Sequence, residues 1–213
     1  MPQTGSPYTL GQAQAHLRAS PLGSRITFVQ SDPVTFLQSS TEHYTTAVLA
    51  QCSWYFASPQ VLADILGALL ARADRVCISE YSLTASDARA APHVLATFAQ
   101  AALECRKPAS VSNVRTVFSP ERLRTAARSV GLVVRKEALM RPPDGMFDGR
   151  WEVGWVLSKK FEEQIEEFVS DVREKAVVVA ARDSVRAAAE LLKAKDEKVH
   201  TMDIWVATLA KEA

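Results

Sequence analysis

The stretch Thr46-Ala47-Val48-Leu49-Ala50-Gln51-Cys52 is apolar without alternation, and Ser58-Pro59 follows it, opening a run with Val61, Leu62, Ile65, Leu66, Leu69 and Leu70 at helical spacing. A short unalternating run is the mark of a strand covered on both faces, and such strands belong to parallel sheets joined by crossover helices. Ser58 is a capping residue and Pro59 suits the first helical position, so a helix is expected from there to Arg72. The grammar repeats along the chain. A helix capped by Thr9 runs to Ala19, a β-branched and aromatic strand is expected over Arg25–Gln30, and Pro33 opens a short helix. A strand over 75–79, helices over 92–104 and 120–128, a stop at Gly131 and a strand over 132–139 follow. Alternation of this kind implies an α/β fold with a doubly wound, mostly parallel sheet.

Charge narrows the partners. The chain has 213 residues with 25 Lys+Arg against 24 Asp+Glu, a formal charge of +1, so it has no field to steer it onto nucleic acid. That length suits a single domain, here 1–213. Residues 1–60 carry only Arg18, Arg25, Asp32 and Glu42, whereas 159–198 carry nine basic and ten acidic side chains. The charged stretch is expected to be helical, placed before a last strand over 201–209 that returns antiparallel at or near the sheet edge. Asp148 is expected to cap a helix, with Trp151, Phe161, Ile165, Phe168 and Val172 as its apolar stripe and a second helix over 177–193. No apolar run approaches the roughly 20 residues that cross a bilayer, and Met1–Gly5 lacks a leader's basic and apolar regions. A soluble, cytoplasmic protein without membrane contact is the expectation. Cys52, Cys77 and Cys105 are odd in number and form no CxxC pair, which points to neither a disulfide framework nor a metal site.

Open α/β sheets bind ligands beyond the carboxyl ends of their strands, which directs attention to Ser31-Asp32-Pro33, Gln51–Phe56 and Glu80-Tyr81-Ser82. Asp32 either contacts a ligand or caps the following helix. Trp54-Tyr55-Phe56 offers flat apolar area for a ligand or for core packing. Glu80 follows a buried strand and needs either a cleft or a cation such as Arg115. His93 is a candidate general base or a structural residue. Cys52 and Ser53 are candidate nucleophiles for a hydrolase, but there is no GxSxG and no assignable histidine, so no catalytic residue is named. GxGxxG and GxxxxGK[ST] are absent, which disfavours kinases and ordinary nicotinamide enzymes.

Several stretches carry a family resemblance: Ser6–Ala15, Gln51–Phe56, Ile78–Ser82, Ser112–Thr116, Asp148–Val153 and Met202–Val206. Across nearly its whole length the chain resembles the carboxyl-terminal two-thirds or more of the class I S-adenosylmethionine-dependent methyltransferases, and within them a fungal methyltransferase-like group. The resemblance implies a Rossmann-like fold with S-adenosylmethionine as cofactor. It assigns Asp32, with Pro33, to the adenine side, and Gln51, Cys52 and Ser53 to the methionine side. It turns Trp54, Tyr55, Glu80 and Tyr81 toward the methyl acceptor, which the neutral charge balance makes a small molecule. It also implies that the family's first strand, glycine-rich loop and second strand lie ahead of Met1. The expected fold is therefore incomplete, with an open cofactor pocket and exposed sheet edges. Those edges support a competing expectation: a catalytically inactive relative that binds a protein partner or itself.

Overall fold

The computed structural model describes residues 9–212, so the Ser6–Tyr8 part of the first resemblance stretch lies outside the described residues. The chain divides into two compact units, Met1–Ser39 and Ser40–Ala213. In the first, α1 (Leu10–Arg18) opens with a reciprocal cap in which the Thr9 amide donates to Gln12 Oε1 at 2.8 Å and the Gln12 amide to Thr9 Oγ1 at 3.3 Å. A single 3-10 turn spans Gly23–Arg25, and α2 (Pro33–Ser39) begins behind Asp32. The strand expected over Arg25–Gln30 does not form. Its residues have no ladder partner, Val29 is exposed, and Phe28 lies under the Arg18 guanidinium of α1, 5.1 Å from ring centroid to Cζ. Intrinsic β preference needs a neighbouring strand to become a strand.

The second unit contains a four-stranded sheet in the order β1-β2-β4-β3, built from β1 (Ala47–Ala50), β2 (Arg75–Tyr81), β3 (Leu132–Met140) and β4 (Ile204–Lys211). β1 pairs parallel with β2 through α3 (Pro59–Leu70), while β4 runs antiparallel to both β2 and β3. The α/β architecture stands, with parallel pairing among the described residues confined to β1–β2. The last strand is antiparallel as expected and lies one place in from the edge, between β2 and β3.

Burial alternates along β2 (Val76, Ile78, Glu80) and β4 (Trp205, Ala207, Leu209), so one face is covered. α5 (Pro120–Ser129) packs on α3 and β3, and Leu62, Leu66 and Leu123 are fully buried. Gly131 ends α5 at φ +89°, a left-handed turn that glycine enters without steric cost, and its amide closes on Arg128 O at 3.1 Å. Within this unit the opposite face is open. Val48 is 68% exposed, which corrects the expectation that β1 is covered on both sides. A groove of about 380 Å³ runs over Val48, Cys77, Ser79, Ala138, Val206 and Thr208.

The remaining helices form a second core. α4 (Ala91–Glu104), α6 (Asp148–Val156), α7 (Lys159–Phe168) and α8 (Val172–Lys193) bury Ala96, Ala99, Leu103, Val153, Val156, Phe161, Ile165, Val178 and Val185 together. The charged segment is thus two helices with a packed stripe and a solvated face. α8 starts at Val172, earlier than expected, because the Asp171 carboxylate caps it with bonds of 2.9 Å from the Arg173 and Glu174 amides. Trp151 and Val172 of the expected stripe are exposed. Asp148 is the first residue of α6 rather than its cap, because the cap position falls on Phe147, which makes no side-chain capping bond.

Candidate functional site

Parallel pairing puts the carboxyl ends of β1 and β2 side by side. At the first end Gln51 takes φ +49°, a left-handed conformation for a non-glycine residue, while its amide still reaches Ser79 O at 2.7 Å. The chain then turns into a 3-10 turn, Ser53–Tyr55, directed at β2. Glu80 receives it. Glu80 Oε2 accepts from the Ser53 amide at 3.0 Å and the Ser53 hydroxyl at 2.6 Å, and Oε1 accepts from the Tyr81 amide at 3.0 Å. The Glu80 carboxyl is 1% exposed and satisfied by neutral donors. Burial pushes its pKa up, against the lowering effect of those bonds. Arg115 does not pair with it: its guanidinium donates to Ser112 O at 2.9 Å.

Trp54 is 4% exposed, and its indole donates to Phe118 O at 3.2 Å. Its ring backs Tyr81, centroids 5.4 Å apart, so it is a wall of the site. Tyr55 is 47% exposed and reaches solvent. Burial, and after it the charge of Glu80, raises the Tyr55 phenol and pushes the Cys52 thiol up to about 11. Cys52 is therefore a thiol at neutral pH, and the Ser53 hydroxyl, 1% exposed, is sealed inside the turn against Glu80, so neither is presented to a substrate as a hydrolytic nucleophile.

Two carboxylates complete the cluster from α6. Asp148 acts on the Tyr81 phenol, whose pKa is raised first by burial and then by that carboxylate. Glu152 accepts from the Gln100 amide of α4, and burial raises its pKa, with a smaller contribution from Asp148. Spacing i, i+4 on one helix puts both acids on one face, which is the signal in the Asp148–Val153 stretch that would have found them. His93 of α4 packs edge-on against Tyr81, with centroids 5.1 Å apart and planes at 76°. It is fully buried, and burial lowers its pKa to about 3, so it does not act as a general base from this position.

Asp32 and Pro33 belong to the first unit. Asp32 Oδ1 accepts from the Thr35 amide at 2.9 Å, a helix cap whose bond lowers the carboxyl pKa, and Pro33 is the first residue of α2. Among the described residues no group of His, Cys, Asp and Glu is arranged to hold a metal ion, and no helix is long and apolar enough to cross a membrane.

No protein-family model matches the sequence. Two curated fungal proteins do, methyltransferase phomM and methyltransferase phomM′ of Diaporthe leptostromiformis. Each is 30% identical over 245 aligned positions, covering 99% of this chain and 63% of the relative. The chain is similar to these methyltransferases over nearly its whole length. It spans 63% of the length of these methyltransferases, so their whole-protein activity is not carried over to it. The crystal structure of a cyclopropane-fatty-acyl-phospholipid synthase-like protein from Lactobacillus casei has the same fold, with a TM-score of 0.78 and 24% identity over 99% of this chain and 72% of that one. The methyltransferase-like α/β sheet expected from the sequence is thus the observed fold.

Proposed function

We propose that this chain is an S-adenosylmethionine-dependent methyltransferase that passes the methyl group to a small-molecule acceptor. The observation that carries the reading is the convergence of Gln51–Tyr55 and Glu80-Tyr81 at adjacent strand ends with Asp148 and Glu152 of α6. Ligand sites of open α/β sheets sit at such ends. The cofactor of the family fits the chemistry found there. Glu80 and Glu152 are bonded by neutral donors, and with Asp148 they surround Tyr81 with negative charge, surroundings that favour a cation such as a sulfonium. S-adenosylmethionine supplies a methyl group on a positively charged sulfur.

By the resemblance Gln51, Cys52 and Ser53 face the methionine end of the cofactor. Glu80 braces the turn through Ser53, Trp54 walls the site, and Tyr55 and Tyr81 present phenols toward the acceptor, Tyr81 oriented by Asp148. Orientation of acceptor against donor provides most of the rate in such a transfer. The near-zero net charge supports a small acceptor over nucleic acid.

The test is calorimetric titration of the folded 213-residue chain with S-adenosylmethionine, competed by S-adenosylhomocysteine, followed by an acceptor screen. A Kd near ~1 μM, about −8 kcal/mol, with displacement by the product, supports the reading. No heat and no displacement overturn it. A second reading, partner binding without catalysis, is favoured by the open sheet face around Val48 and Val206. Light scattering that finds only a soluble monomer, alone or mixed with candidate partners, counts against it.

A further inference from the structure

Fully buried His93 is outside the roles above, yet it is bonded in a way that settles its chemistry. The Met202 amide lies 3.1 Å from His93 Nδ1. An amide only donates, so Nδ1 carries a lone pair and the ring proton sits on Nε2. That Nε2 has no hydrogen-bond partner among the described residues, and the ring edge lies against Tyr81. A histidine kept neutral with one nitrogen unpartnered forgoes a hydrogen bond at its buried position. What it gains is a rigid link from Tyr81 to the segment leading into β4.

The residue before Met202 makes the matching link. Thr201 Oγ1 accepts from the Gly149 amide at 3.2 Å and donates to Met146 O at 3.0 Å. Gly149 follows Asp148 in the chain, and a Cβ on it would lie 2.3 Å from His200 O, so α6 is seated directly on this segment. Both halves of the Tyr81–Asp148 pair therefore hang from two consecutive residues. Tyr81 does so through His93 on Met202, and Asp148 through Gly149 on Thr201.

We propose that His93 and Thr201 are positioning residues, and that the Thr201-Met202 step fixes how the Tyr81 phenol meets the Asp148 carboxylate. The functional importance of that pair rests on the reading of the site given above; the mechanical link does not.

The test reads the link without turnover. In the long-range proton–nitrogen spectrum of the intact chain, His93 shows protonation at Nε2 alone, unchanged from about pH 8 to about pH 5. In an ultraviolet titration the Tyr81 phenol, identified by its loss in Tyr81→Phe, stays un-ionised beyond the ordinary tyrosine range. His93→Asn keeps an acceptor near the Nδ1 position and removes the ring edge, and in it the Tyr81 phenol ionises at lower pH. Thr201→Val does the same from the other side, and Thr201→Ser restores the original titration. A purely structural role lowers the melting temperature and leaves the titration unmoved. That result, or a proton found on Nδ1, overturns the proposal, and if His93→Asn does not fold the Thr201 pair decides. If the wild-type chain transfers methyl groups, His93→Asn lowers turnover about tenfold or more with cofactor affinity unchanged. Absence of transfer in the wild type counts against the functional reading, and the titrations still judge the link.

Discussion

Gly149 and Gly154 lie on the same helix, and the same substitution has opposite signs at the two positions. An alanine Cβ at Gly149 meets His200 O at 2.3 Å, His200 C at 2.8 Å and Thr201 Cα at 3.1 Å, all main-chain atoms that no rotamer change removes. Ordinary contact begins at 3.4 Å, so α6 and the 200–201 backbone must part by about 1 Å. Overpacking of this kind costs about 1–3 kcal/mol, and separation also weakens the Gly149–Thr201 hydrogen bond, worth about 1 kcal/mol. Against this the helix gains up to ~1 kcal/mol from replacing glycine by alanine, leaving Gly149→Ala destabilised by about 1–3 kcal/mol. At Gly154 nothing lies within 4 Å of the new methyl, so only the propensity gain remains and Gly154→Ala is stabilised by about 0.5–1 kcal/mol. Urea unfolding followed by far-ultraviolet circular dichroism, with both variants measured beside the wild type, provides the comparison. A Gly149→Ala chain within about 0.5 kcal/mol of wild type would refute the argument that α6 is seated on the 200–201 backbone.

Two further substitutions test the electrostatics. Ser53→Ala removes a hydroxyl donor from the buried Glu80 carboxylate and costs about 1–3 kcal/mol at neutral pH. Because the lost bond was lowering a pKa that burial raises, the deficit grows as pH rises through the carboxylate range and closes at acid pH. Urea midpoints at several pH values follow it. Glu152→Gln acts in the other direction. The folded pKa of Glu152 is raised, so the wild type loses stability as pH climbs above the ordinary glutamate value, and the neutral variant, still able to accept from Gln100, does not. Its melting temperature exceeds wild type at pH 7, and the gap narrows as the solution is acidified below the carboxylate range; a gap independent of pH would contradict the assignment.

Elements with local signals were legible in the sequence. Ser58-Pro59, Ser119-Pro120 and the Thr9–Gln12 cap mark helix starts that form where expected, because a cap is satisfied by its own neighbours. Arg25–Gln30 was not legible, since a strand requires a partner and partnering is decided elsewhere in the chain. The site divides along the same line. Strand ends at Gln51–Tyr55 and Glu80-Tyr81 follow from the sheet rule, whereas Asp148 and Glu152 arrive from a helix far along the chain, and nothing near Glu80 reveals that Ser53 rather than Arg115 would satisfy it. A carboxylate can be met by a cation or by several neutral donors, and only the folded distances choose between them.

The charged excursion over 159–198 explains how those remote residues are held. α7 and α8 cover α4 and α6 with Phe161, Ile165, Val178 and Val185, and α4 and α6 are the helices that carry His93, Gln100, Asp148 and Glu152. Arg182, buried on α8, donates to Val156 O at 3.1 Å and reaches Glu162 at 3.2 Å, binding the end of α6 to both added helices. The excursion then returns the chain as 199–203, where the Asp203 carboxylate accepts from the Ser86 amide and hydroxyl at 2.8 Å each. The Asp203 carbonyl accepts from the Ser82 amide and hydroxyl at 2.9 Å each, which closes the loop after Tyr81. A cavity cut under this bundle, such as Val185→Ala, therefore loosens the two helices bearing the acids as well as lowering stability. Val48→Ala on the open sheet face removes a methyl pair that is mostly in solvent and leaves the same helices in place. The helical layer is in this sense part of the site's construction: its core positions the groups that the strand ends alone do not supply.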